Sequence, residues 1–146
     1  TGVDAFHGGL RKVYKRGHNR LADAYDDPSV SAFHEWRKRV KYLWYHERIL
    51  ENVWAPILDE LQEETHDLSD YLGDAHDLAE LRSLLQDDPD LCGEETRSVI
   101  IGLLNREEVR LRNKSRPVGK RIYLESPDDF VDRISGYWGI WRNIGG

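Results

Sequence analysis

The 146-residue sequence predicts an all-α fold, an antiparallel bundle of about five to six helices. Three observations carry that expectation. No segment shows the apolar–polar alternation and β-branched enrichment of a strand. Apolar residues recur instead at three- and four-residue spacing over long segments. The breaks between these segments are short and rich in Asp, Pro and Ser, and short breaks between long amphipathic helices favour antiparallel neighbours.

The first helix is expected from Ala5 to Tyr25, weakened by Gly8, Gly9 and Gly17. Asp26-Asp27-Pro28-Ser29 ends it, and Ser29 or Ser31 is placed to cap a second helix from about Val30 to Asn52. Pro56 marks a new start. Leu58, Leu61, Thr65, Leu68 and Leu72 then keep helical spacing up to Gly73, where a kink is expected before the pattern continues from Ala75 to Gln86. After the break at Asp87-Asp88-Pro89-Asp90, Glu94 to about Glu125 reads as helix, with Pro117 expected to kink or divide it. Ser126 caps the last helix and Pro127 occupies its first turn. Phe130, Ile134, Tyr137, Trp138 and Trp141 mark its apolar face.

The size suits one domain with a real core. With 39% hydrophobic and 33% charged residues, the composition is that of a soluble chain. No apolar run approaches the length of a bilayer span, and the N-terminus has no signal-peptide pattern; a cytoplasmic location is the expectation. The single Cys92 cannot form an internal disulfide. Methionine is absent even at position 1, which leads us to expect a processed or excised piece of a larger protein.

The net charge of −6 hides a strong segregation. Residues 59 to 95 hold 14 of the 27 acids and one base, Arg82, while the remainder carries 20 bases against 13 acids. Because fields act over about 8 Å at physiological salt, a basic surface can coexist with a negative total.

The basic residues are patterned. Between His34 and Arg48, helical phase places His34, Arg37, Lys38, Lys41, Tyr45 and Arg48 on one stripe, with Phe33, Trp36, Val40, Leu43 and Trp44 opposite. In the first helix, His7, Arg11, Tyr14, Lys15 and His18 share an arc with no acid between Asp4 and Asp23. A third stripe, Arg106, Arg110, Lys114 and Arg121, lies on the fourth long segment. Arginine outnumbers lysine 15 to 6, and its planar fork suits bidentate phosphate binding. The expectation is that three helices share a core and converge their cations on one groove for a polyanion. Trp36, Trp44, Trp138 and Trp141 sit at core spacing, so they are expected to pack rather than to serve as base-stacking platforms.

The run His34-x-x-Arg37-Lys38-x-x-Lys41-Tyr42-Leu43-Trp44-Tyr45, followed by Leu72-Gly73-Asp74-Ala75-His76-Asp77-Leu78, resembles the CHAD family, the conserved-histidine α-helical domains. Tyr14-Lys15-Arg16-Gly17-His18 and Lys120-Arg121-Ile122-Tyr123-x-x-x-Pro127 extend the likeness over nearly the whole chain. The resemblance implies a bundle of two related four-helical halves around a basic pore or groove. This chain is similar to the second half only. Family members bind inorganic polyphosphate without being known as catalysts, and some are fused to a CYTH (triphosphate tunnel) domain. Carried over by position, the pore cations would be His34, Arg37, Lys38 and Lys41, joined by Arg11, Lys15 and His18. Trp44 stands where many relatives have arginine. The resemblance also implies polyphosphate granules as a site of association and a second copy as a way to complete the missing half. No cofactor or metal is expected.

Two alternatives stay open. His34, His66-Asp67, His76-Asp77 and Asp128 have the order of an HD-type metal phosphohydrolase. Against it, His66 and His76 stand roughly 15 Å apart along a continuous helix and cannot share an ion. A plain helical interaction module using the acidic surface is the other alternative. Neither a supported Ser or Cys nucleophile nor a phosphate-cradling glycine loop is present in the sequence.

Overall fold

A computed structural model describes residues 2–145. Five α-helices form the chain: α1 (Gly2–Asp26), α2 (Val30–Leu50), α3 (Ala55–Asp87), α4 (Glu94–Ile122) and α5 (Pro127–Ile144). A short 3-10 turn, Glu51–Val53, joins α2 to α3. Among the described residues there is no strand, and the all-α bundle expected from periodicity is what forms.

Two of the caps are the ones the sequence marks. Ser29 Oγ accepts from the Ala32 amide at 3.0 Å and starts α2, while Ser126 Oγ accepts from the Asp129 amide at 3.1 Å and starts α5. Each satisfies a helix-end donor and contributes about 1 kcal/mol. α2 ends at Leu50, two residues before the expected boundary, because the chain tightens into the 3-10 turn there.

α2 lies between α1 and α3, α3 packs along α4, and α5 returns against α1. Trp36, on the inward face of α2, is fully buried among these layers. Tyr14 stacks on Phe130 with centroids 4.1 Å apart, and its hydroxyl donates to the carbonyls of Ile122 and Glu125 at 3.2 and 3.0 Å. One α1 side chain thereby fixes the α4–α5 corner. Tyr25 does the same for the middle of α4, donating to the Arg112 carbonyl at 2.6 Å.

Neither expected interruption divides a helix. α3 runs unbroken through Gly73, and α4 runs unbroken through Pro117. Around Pro117, tertiary packing overrides the lost backbone donor. Ser115 is fully buried and bonds back to the Leu111 carbonyl at 2.7 Å, and Gly119 lies directly against the Trp36 ring. At Gly73 the missing side chain serves a neighbour, as described below.

α3 also outruns α2. Val30, the first residue of α2, shares a small crevice with Ala79 and Arg112. Beyond that level, Glu80–Asp87 of α3 and Glu94–Leu103 of α4 continue as a two-helix arm in which only Leu85 is buried.

Candidate functional site

The α2 stripe borders α3, and its members differ in how free they are. Arg37 lies across Gly73: a Cβ at Gly73 would stand 3.0 Å from the Arg37 Nε and 3.1 Å from one terminal nitrogen. The absent side chain is therefore what admits the guanidinium to the α3 backbone. Its Nε is buried without a hydrogen-bond partner among the described residues. Arg37 and the half-buried Lys41 make no ion pair among the described residues.

One turn earlier, His34 stacks on His76 of α3, with ring centroids 4.3 Å apart and planes 22° apart. His76 Nε2 reaches Glu80 at 3.1 Å, and both rings keep a buried Nδ1 with no partner. Burial, then the nearby His76, Lys38 and Arg37, hold the His34 imidazole below its ordinary 6.5, so it is neutral at physiological pH. Lys38 is committed locally, its Nζ 2.9 Å from Glu35. Tyr45 is exposed and sits beside Trp44. At the far end, the Arg48 guanidinium lies over the Trp44 ring at 5.5 Å, and both line an open cleft of about 540 Å³ shared with Gln62, Glu63, His66 and Asp67. Trp44 is fixed by donating its indole N–H to Gln62 at 2.8 Å.

The other stripes go elsewhere. Arg11 pairs with Asp128 of α5 at 2.6 Å, and His7 approaches Asp132 at 3.8 Å. Arg11, with Lys15 and His7 contributing, holds the Asp128 carboxyl below the usual carboxylate range. Lys15 is exposed and His18 is half-buried beside the Tyr14 ring. On α4, Arg110 is bidentate to Glu107 at 2.9 and 2.6 Å, Arg106 is exposed, and Lys114 covers the Tyr71 ring at 4.3 Å. The α1 stripe thus serves the α5 seam and the α2 stripe runs along α3. The structure does not gather the three in one groove.

Of the tryptophans, Trp36 is core, Trp44 and Trp138 are half-buried, and Trp141 is exposed. His66, Asp67 and Asp70 bring ligand atoms within 4.8 Å of one another on the open side of α3, with His66 Nδ1 3.6 Å from Asp70. His34 and His76 are in contact with each other, whereas Asp128 stands at the α1–α5 seam.

Several contributors escape a one-dimensional reading. Gly73 as a seat for Arg37 and His76 as the partner of His34 depend on how α2 and α3 align. Glu108 is buried between Arg82 and Arg112, the latter at 2.5 Å, and Arg112 in turn covers the Phe33 ring at 4.2 Å. Glu47 is the clearest case with an available signal. It follows Val40 and Leu43 by seven and four residues, in phase with the core, and it is fully buried.

The family model described as CHAD domain matches residues 4–86, more than half of the chain. The chain belongs to the CHAD family. The matched CHAD segment holds α1 from its third residue, all of α2, and α3 except its last residue, and so includes His34, Arg37, Lys38 and Lys41 together with their α3 counterparts Gly73 and His76. α4 and α5 lie outside the matched range. No curated protein and no solved structure matches the chain. No helix among the described residues is long and apolar enough to cross a membrane.

Proposed function

We propose that this CHAD domain is a non-catalytic binding module for inorganic polyphosphate or a related phosphate polyanion, held along the α2 face. One observation carries the reading: among the described residues Arg37 and Lys41 stay without an ion pair although α3, beside them, is rich in acids. Keeping two cations unpaired there has a use if a ligand supplies the anions. Arg37 is pre-positioned by its seat on Gly73, which lowers the ordering cost of binding. His34 adds a ring nitrogen donor and Arg48 continues the row toward the cleft beside Trp44. Lys38, Arg11 and Arg110 carry carboxylate partners and contribute mainly long-range field. Polyphosphate has closely spaced charges and no bases, so cations along a face suffice to recognise it, and binding weakens as salt displaces the ion pairs.

The test is a titration with polyphosphate against single-stranded DNA of matched charge, for the native chain and for Arg37→Glu/Lys41→Glu. The expected result is a preference for polyphosphate that falls steeply with salt and is lost in the double variant at unchanged helicity. Equal affinity in native and double variant places the site elsewhere. Location beside polyphosphate granules in the cytoplasm, association with a CYTH domain, and pairing of two copies belong to the same proposal.

A further inference from the structure

The α3–α4 arm leaves the bundle with an apolar flank that no other described residues cover. About eight residues of α3 and ten of α4 lie past the start of α2, a projection of roughly 12–15 Å at 1.5 Å per residue. Leu85 and Leu104 fill the seam between the two helices. Leu84, Val99 and Leu103 are more than half exposed, at 58%, 63% and 56%, and Leu81 at 44% adjoins them. Helical phase puts Leu81 and Leu84 of α3 on the flank away from Ala79 and His76, the residues that face α2. Leu103 and Val99 of α4 fall on that same flank, away from Arg112, which packs on Phe33. The arm presents a shallow two-helix groove, the geometry that an amphipathic helix fills.

The charge around this groove specifies the occupant. Asp87, Asp88, Asp90, Glu94 and Glu95 crowd the tip, and none has an ion-pair partner among the described residues. Of the bases nearby, Arg82 is held by Glu108 and Asn105 and Arg97 by the Pro89 carbonyl at 2.8 Å, while the exposed Arg106 lies on α4 a turn beyond Leu103, away from the acidic tip. A second copy docking arm to arm would press two sets of unpaired carboxylates together. We propose that the arm is a docking surface for a cationic amphipathic helix from another protein, its apolar stripe on Leu81, Leu84, Val99 and Leu103 and its lysines or arginines on the acidic tip. This site is spatially and chemically separate from the polyanion face, so either stands without the other.

The test uses a synthetic Leu/Lys amphipathic peptide of about 18 residues, a Leu/Glu peptide of the same pattern, and a scrambled Leu/Lys peptide. Affinities are measured by calorimetry and the footprint by hydrogen exchange. The expected result is 1:1 binding of the patterned Leu/Lys peptide alone, with protection confined to the arm. Leu84→Asp and Leu103→Asp are each expected to weaken it at least about ten-fold, because they break the apolar seat. Both substitutions add negative charge, so attraction by charge alone would hold or tighten the complex. Undiminished affinity in these variants, protection elsewhere, equal binding of the scrambled or Leu/Glu peptide, or self-association of the chain through the arm would each overturn the proposal. Both leucines are exposed, and unchanged helicity and melting temperature serve as the folding control; Val99→Asp repeats the test at a third position.

Discussion

Arg37 rests on the backbone of α3 at Gly73, with the guanidinium occupying the space a Cβ would take. The contact joins the two segments in which the family likeness is densest, and it turns a glycine inside a 33-residue helix from a weakness into a fitting.

Gly73→Ala separates binding from stability. The added methyl would stand 3.0–3.3 Å from the end of a flexible side chain, so Arg37 can yield by swinging away. Helix propensity favours alanine by up to about 1 kcal/mol. The variant is expected to melt at the same or a higher temperature and to bind polyphosphate several-fold more weakly. A melting scan and one titration check both halves; unchanged affinity would show that the seat does not position Arg37 for ligand.

Gly119→Ala should behave in the opposite way. Here the methyl would stand 2.7 Å from two ring carbons of Trp36, a fully buried side chain with no room to move. Overpacking of this kind costs about 1–3 kcal/mol. Urea denaturation should show that loss, with polyphosphate affinity kept at temperatures where the variant remains folded.

The contrast between these glycines shows where a one-dimensional reading succeeds and stops. Ser29 and Ser126 cap α2 and α5 as the sequence indicates, because a cap depends on residues three positions apart. What Gly73 does depends on Arg37, 36 residues upstream, whose guanidinium it seats, so the role of this glycine had no local signal. The destination of the α1 stripe likewise depends on Asp128 and Asp132, acids that reach Arg11 and His7 only once α5 folds back. Glu47 was legible in phase, but its charge suggests surface.

Glu47 gives a pH dependence whose sign is fixed by burial. Both carboxyl oxygens are buried with no donor within hydrogen-bond geometry among the described residues, and the nearby Thr65 hydroxyl, which partly offsets the effect of burial, donates to the Leu61 carbonyl at 3.0 Å. Burial pushes the Glu47 carboxyl from 4.5 up to about 8. The folded chain therefore binds a proton that the unfolded chain releases between these values. This contribution to stability is complete below about 4.5 and is lost progressively as pH rises to about 8. Glu47→Gln should flatten that slope. The measurement is the urea midpoint at a series of pH values; equal slopes for the native and Glu47→Gln chains would mean that the carboxyl is solvated.

Charge reversal at two arginines ranks the cationic stripes against each other. Arg11 is paired with Asp128 and faces α5, whereas Arg37 has no ion-pair partner among the described residues and faces the α2–α3 border. An arginine that must first leave a carboxylate gives up in that contact much of what a phosphate would return. Arg37→Glu is expected to weaken polyphosphate binding by at least about ten-fold, as expected for losing a charge-assisted contact and gaining a repulsive one. Arg11→Glu should weaken it far less at physiological salt, where only the long-range field is altered. Asp128→Asn, which frees Arg11, should leave affinity within about two-fold if the ligand lies along α2, and raise it clearly if the ligand tracks the α1–α5 seam. Titrations of the three variants at one salt concentration decide between the two faces; a larger loss from Arg11→Glu than from Arg37→Glu would move the site to α1.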